Sequence, residues 1–368
     1  MSEAIPVSLI DTVMLAGVLP GLVASSNNPD ALTVTPLLHG GGESAGVFRV
    51  SGNAQDQEGD NAWSIILKVL AAASPQESDR WNFAQREYHA YGSAVLREAE
   101  GVAMPRCLGR VRRPDGSTWL WLEDVADDGD WPLSRYQLAA YHLGRFNGDF
   151  AQTRAGSSEP WLSRRWLRGW LEEAGPSIAR LQELRDDPII QPVYSDADAV
   201  LHLWSERDRR LNLLEGFPQT LCHLDVHRRN MISRPHDAGD QTLLIDWAFV
   251  GMAALGEELA ALVSATIAYG DVQVGDIGEL ESTVFQGYLA GLRDAGYRAN
   301  PEQVWAAYSL AASLRLPVGA VRLVLPLLME PSLHEREQQQ HDRPLAELFA
   351  RWEAMNGHLI ALGDSVAT

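Results

Sequence analysis

At residues 223–230 the chain reads HLDVHRRN, and sixteen residues beyond Asn230 the apolar run TLLID ends in Asp246. A carboxylate, an amide oxygen and a second carboxylate in this order suit phosphoryl transfer. That reaction needs a base to orient and deprotonate an attacking hydroxyl, and hard oxygen ligands for the Mg²⁺ that neutralises the phosphates. Asp225 fits the first task, and Asn230 and Asp246 fit the second. A cation on the phosphates is the next requirement. Of the 30 basic residues 29 are Arg, so Lys68, in WSIILKV, is the only lysine of the chain. A composition so biased keeps a lysine chiefly where a planar guanidinium fails. A compact ammonium reaching the α- and β-phosphates from an apolar strand is such a place.

The tract from Gly40 to Gly46, GGGESAG, lies between two strand-like runs. Its backbone N–H groups can approach phosphates closely, although a hairpin that merely turns the chain has the same composition. The pattern His-x-Asp-x-x-x-x-Asn followed by Asp246 resembles the catalytic loop and metal-binding Asp of the aminoglycoside phosphotransferase and choline kinase superfamily, small-molecule relatives of the protein kinases. That resemblance extends over residues 30–265. It implies an α+β, two-lobed, protein-kinase-like fold, ATP and Mg²⁺ as cofactors, and transfer of the γ-phosphate to a hydroxyl of a small molecule: an aminoglycoside or other antibiotic, a sugar or an amino alcohol. It also implies Asp225 as the catalytic base, Asn230 and Asp246 as metal ligands, and Lys68 on the phosphates with Glu87 as its acidic partner on the following helix. Gly42 and Ser44 then belong to the phosphate loop. Glu123 and Val125 flank the interlobe hinge that holds adenine. Two departures stand out: Gly46 follows Gly42 by four positions where protein kinases have three, and Glu258 stands where the family has Asp. His223 reads as a structural residue of the loop. His227, Arg228 and Arg229 either stabilise transition-state charge or belong to a solvated loop.

These residues need a frame to hold them. TVTPLL at 33–38, VFRV at 47–50 and WSIILKV at 63–69 predict three antiparallel strands. The stretch 74–96 predicts one amphipathic helix, because Ser74 and Glu77 have capping-box spacing and Trp81, Ala84, Tyr88, Tyr91 and Val95 step by three and four. CLGRV and TWLWLE surround Pro114-Asp115-Gly116 and predict a hairpin. Beyond the polar DVADDGDWP helical patterns dominate, interrupted by one small sheet built from CHLDV, NMIS and TLLID. The expected division is therefore a nucleotide-binding lobe over 1–123 and a helical lobe over 124–368 that carries the catalytic loop and the acceptor site. Trp161, Trp166 and Trp170 are expected to pack rather than to wall a sugar ring. Residues 331–344 read as an exposed connection.

Composition narrows the partners. A formal net charge of −19 repels phosphate backbones and argues against nucleic acid, while mildly favouring a cationic ligand. Cys107 and Cys222 are the only cysteines, with neither disulfide-framework nor zinc spacing, which fits a cytoplasmic protein. Residues 1–26 are apolar but have no Lys or Arg before Arg49, so they read as folded structure rather than a signal peptide. No uninterrupted apolar run is long enough to span a bilayer. Two other readings compete: a nucleotide-binding pseudokinase acting as an interaction module, and a true protein kinase. Against the latter, Asp246 leads almost directly into GMAALGEELAALV, with no activation segment between.

Overall fold

Alternation along one strand organises the first part of the molecule. In the computed structural model, which describes residues 32–37, 44–56, 59–97, 99–127, 129–153, 158–236, 239–341 and 343–366, the chain starts with β1 (Thr33–Pro36), β2 (Ser44–Asp56) and β3 (Gly59–Leu70). Trp63, Ile65, Leu67 and Val69 of β3 turn to one face and join Phe48, Val50, Trp119 and Trp121 in a closed apolar cluster. Period-two geometry sends Lys68 to the opposite face, together with Leu70, which belongs to the main core. Next come α1 (Arg86–Gly92), α2 (Ala94–Arg97), β4 (Val102–Ala103), β5 (Cys107–Arg112) and β6 (Thr118–Glu123). The antiparallel sheet runs in the order β1-β2-β3-β6-β5, with Lys68 opposite Leu120.

The single helix expected over 74–96 is not formed. A 3-10 turn at Pro75–Glu77 and irregular backbone precede α1, and only half of the capping box is made, the Ser74 N–H donating to Glu77 Oε2 at 3.0 Å. The reason is Arg86, which is fully buried. Its guanidinium collects the carbonyls of Ser78, Arg80 and Trp81, which a continuous helix would use internally. It also binds the carbonyls of Trp161 and Ala248 at 2.9 and 3.0 Å, tying α1 to the helical lobe.

The rest is mainly helical: α3 (Leu133–Thr153), α4 (Trp166–Glu172), α5 (Gly175–Glu183), α6 (Ala197–Glu215), then β7 (Gln219–Cys222), β8 (Met231–Arg234), β9 (Gln241–Leu244) and β10 (Gly251–Ala254), and finally α7 (Leu259–Tyr269), α8 (Ile277–Asp294), α9 (Pro301–Arg315), α10 (Val321–Met329), α11 (His334–His341) and α12 (Leu345–Val366). The small sheet expected here is two. β8 and β9 form a hairpin extended by β4 in parallel, whereas β7 pairs with β10. Residues 331–344 are not a plain connection either, since α11 is closed by His341 Nε2 on Glu337 at 3.0 Å and its buried ring lies against Tyr269 and Trp352. Helices α3 and α8 meet backbone to backbone at Gly144 and Gly291, where any Cβ would collide with the carbonyls of Tyr288 and Tyr141. Among the described residues no helix is long and apolar enough to cross a membrane.

Candidate active site

Five residues that the sequence scatters over 178 positions meet between the sheet and the helical lobe. Lys68 is only 7% exposed, and its Nζ lies 2.6 Å from Glu87 Oε2 and 2.7 Å from Asp246 Oδ1. Burial alone would lower the pKa of this amine. The carboxylates of Asp246 and Glu87 reverse the effect and hold it above its ordinary value, so the site carries a fixed cation. Glu87 Oε1 also accepts the Trp247 N–H at 3.3 Å, joining α1 to the turn that bears Asp246. Asp246 lies beyond β9 rather than at its last residue, in a left-handed conformation (φ 60°) that caps the 3-10 turn Trp247–Phe249. A non-glycine residue in this region costs of order 1–3 kcal/mol and persists where its surroundings over-determine it.

The loop over 223–230 carries the second such residue, Leu224 (φ 69°). Three groups fix it. The Glu258 side chain, at the start of α7, accepts the His223 and Leu224 N–H groups through Oε2 at 2.7 and 3.2 Å. Its role is thus to clamp the loop from across the core rather than to cap its own helix. Arg315, the last residue of α9, donates to the Leu224 carbonyl at 2.6 Å and to Asp225 Oδ1 at 2.7 Å, while its guanidinium lies over the Trp166 ring. Buried His223 supplies the third fixture: Nε2 donates to the Ile245 carbonyl at 2.9 Å, which leaves Nδ1 to accept the Asp225 N–H at 3.3 Å. That pair of bonds defines a neutral tautomer, in keeping with the structural role expected from sequence.

Burial lowers the His223 pKa to about 4. Protons therefore favour the unfolded chain: the contribution of this residue is complete above about pH 6.5 and is lost as the pH falls toward 4, by about 1.4 kcal/mol per unit. His223→Asn is expected to flatten the decline of melting temperature between pH 6.5 and 5. Equal slopes in the two proteins would place the acid sensitivity elsewhere.

Burial pushes the Asp225 carboxyl up, but His227, Arg315 and His223 outweigh it and hold the group well below the usual carboxylate range. Asn230 Nδ2 donates to both the carbonyl and Oδ2 of Asp225 at 3.0 Å, which leaves the amide oxygen of Asn230 for another partner. Asp246 is similarly half-free, its side chain 43% exposed and bonded to Lys68 through Oδ1. A carboxylate and an amide oxygen, with the remaining positions open, fit a hard divalent cation that keeps water and phosphate ligands.

Other expected residues sit further out. Ser44 opens β2 opposite Leu70, at a register shift before Gly46, and Gly42 lies outside the described residues. Glu123 ends β6 with its N–H engaged on the Arg106 carbonyl at 2.9 Å, and Val125 follows half-buried on the connection to the helical lobe. Arg228 is tied to Asp127 and to the Gly129 carbonyl, whereas Arg229 lies over the Tyr269 ring. His227 faces Asp225 at 3.6 Å. The tryptophans pack as expected: Trp166 and Trp170 stack one helical turn apart against Trp81, and Trp161 stacks on His89. Arg86, Glu258 and Arg315 are the contributors that sequence reasoning missed or misassigned. Glu258 alone carried a signal, its place after Gly256.

The same architecture recurs in solved structures. An amicoumacin kinase, hAmiN, in complex with AMP-PNP, Ca²⁺ and Ami is similar over 92% of this chain and 89% of its own, at 18% identity and a TM-score of 0.51. A spectinomycin phosphotransferase, APH(9)-Ia, in complex with ADP and spectinomycin shares 11% identity over 91% and 93% of the two chains, with a TM-score of 0.51. The Plasmodium vivax ethanolamine kinase aligns over 95% of this chain and 87% of its own, at 12% identity and a TM-score of 0.50. At these identities the likeness speaks for the fold. Among curated protein sequences there is no match. The model of the phosphotransferase enzyme family matches residues 39–300, well over half of the chain and including all of the loop over 223–230, and this protein belongs to that family.

Proposed function

We propose that the protein is a Mg²⁺- and ATP-dependent kinase that moves the γ-phosphoryl group of ATP to a hydroxyl of a small molecule. The observation that carries the reading is the Lys68 ammonium held between Glu87 and Asp246, with Asp225 and Asn230 on the adjoining loop. Lys68 is suited to hold the α- and β-phosphates, with Glu87 fixing its direction. Asn230 and Asp246 would ligate Mg²⁺, which when bound neutralises the phosphate charge. Asp225 takes the acceptor's proton as the oxygen attacks phosphorus. Its low basicity suits a loose transition state, in which orientation matters more than proton affinity. The phosphate loop is assigned to Gly42 and Ser44. Because the Glu123 N–H is engaged within the sheet, the hinge contacts to adenine fall to the Glu123 carbonyl and the Val125 backbone. Only four residues separate Asp246 from β10, which favours a small acceptor over the extended platform a protein substrate needs.

ADP release by the full chain, followed over a panel of hydroxylated small molecules, tests the reading. Acceptor-dependent turnover that stops with EDTA and returns with Mg²⁺ is expected. Binding of ATP without phosphorylated product for any acceptor would put a pseudokinase in its place, and transfer to folded proteins alone would make it a protein kinase.

Arg315 acts here as a positioning residue, since it touches the base rather than the reacting atoms. Arg315→Gln is expected to lower kcat by about 10²-fold, the usual effect of an ångström of misplacement. Loss of the guanidinium also lets the Asp225 pKa rise toward its ordinary range, so an acid limb in kcat should move to higher pH. An unchanged pH profile with a lowered kcat would assign Arg315 to loop architecture alone.

A further inference from the structure

We infer that the acceptor is a hydroxyl compound with a mainly hydrocarbon body, seated in an apolar cavity of the helical lobe; this deepens the kinase reading and rests on it. The cavity, about 380 Å³, lies among α7, α10, α11 and α12. Two of its walls lead to the base. Tyr269 lines it, and the Tyr269 ring meets the His227 ring edge-on with centroids 5.3 Å apart, while His227 Nε2 lies 3.6 Å from Asp225 Oδ2. Leu316 lines it too, and the preceding residue is Arg315, bonded to Asp225. The loop that bears Asp225 thus touches the cavity wall from behind, at Tyr269 and through Arg315, and an acceptor whose body fills the cavity has to extend its hydroxyl past those residues.

The lining specifies the body of that ligand. Leu316, Val324, Leu327, Met355 and Trp352 present hydrocarbon. Glu337 is the one carboxylate among the described lining residues, and His341 already holds it. A polycation would lose its water here without gaining carboxylates in return. The net charge of −19 is thus carried elsewhere, and the mild leaning toward a cationic ligand drawn from composition gives way to the local surface. Leu323 stands at the cavity 51% exposed, the most exposed of the large apolar residues among those described. Arg336, the Asn356 amide oxygen and the hydroxyls of Tyr194 and Tyr269 add a few polar groups to this lining, the usual pattern of a small-molecule site.

The test uses the full chain with Mg-ATP and two matched acceptor sets, farnesol and tryptophol against 2-deoxystreptamine and ethanolamine, beside binding of 1-anilinonaphthalene-8-sulfonate as a probe of the cavity. Ala265→Phe fills the cavity from α7, and Leu323→Asp places a carboxylate at its exposed rim, where folding tolerates it. Expected are probe binding weakened at least tenfold by Ala265→Phe, kcat/KM at least tenfold higher for the apolar set, and a raised KM for that set in Leu323→Asp. Equal probe binding by Ala265→Phe overturns the proposal. So does preferred turnover of the cationic set with a KM that Leu323→Asp lowers or leaves alone. Absence of ADP formation with every acceptor, while the probe still binds in an Ala265→Phe-sensitive manner, marks failure of the kinase reading instead.

Discussion

Asp225→Asn is expected to lower kcat by about 10²–10⁴, the usual contribution of a positioned general base, while nucleotide affinity stays within about threefold. The two effects separate because Asp225 belongs to the loop of Arg315 and Asn230, whereas the cation of the site, Lys68, is held by Glu87 and Asp246. The substitution keeps the shape of the side chain and removes its charge. One of its two oxygens becomes an N–H, and because Arg315 and Asn230 both donate to Asp225, one donor loses its acceptor. A modest loss of stability, about 1–3 kcal/mol, should accompany the catalytic defect. Single-turnover kinetics with saturating ATP and acceptor, beside titration of a nonhydrolysable nucleotide, decide the matter. A kcat within tenfold of the parent would sink the assignment of Asp225 as the base.

Replacing Lys68 acts on the other half of the site. In Lys68→Met the cation disappears but Glu87 stays, 1% exposed and without its counter-charge. Removing one partner of a buried ion pair costs about 3–5 kcal/mol, because the remaining charge is left uncompensated. The variant should therefore melt earlier and lose about 10²–10³ in kcat/KM, the scale of one electrostatic contact to developing charge. The double variant Lys68→Met/Glu87→Gln tells the two losses apart: stability should recover substantially and activity should not. Recovery of both would mean that Lys68 serves architecture alone. Lys68→Arg is no rescue, since a planar five-donor fork replaces a compact point charge in a space closed by two carboxylates.

Much of this site could be read along the chain because its parts obey local rules. WSIILKV reads as an apolar strand that carries Lys68, and β3 bears this out, with Lys68 on the face opposite Trp63, Ile65 and Leu67. The loop from His223 to Asn230 carries its chemistry within eight residues. What escaped reading lies in contacts made across the fold. Arg315 is one of 29 arginines and ends a helix of mixed composition, 90 residues after the carboxylate it holds, Asp225, so neither composition nor spacing marks it. Arg86 was more misleading still. It sits inside a clean amphipathic pattern and, once buried, takes the carbonyls on which a continuous helix would depend. Glu258 has a local position, the start of α7, that suggests capping, and a tertiary position that makes it accept the N–H groups of His223 and Leu224. Periodicity describes which face of an element is apolar, but it is silent on where a long polar side chain ends.

The solitary lysine has a practical consequence. An endoprotease that cuts only after lysine has one scissile bond in this sequence, Lys68–Val69, and that bond lies within a hydrogen-bonded central strand at a buried residue. Cleavage requires that strand to leave its sheet, so when reclosing outpaces cutting the digestion rate measures the opening equilibrium of the β-sheet lobe. Two fragments on a gel, and their slower appearance as a ligand is added, would report how tightly that ligand locks the lobe.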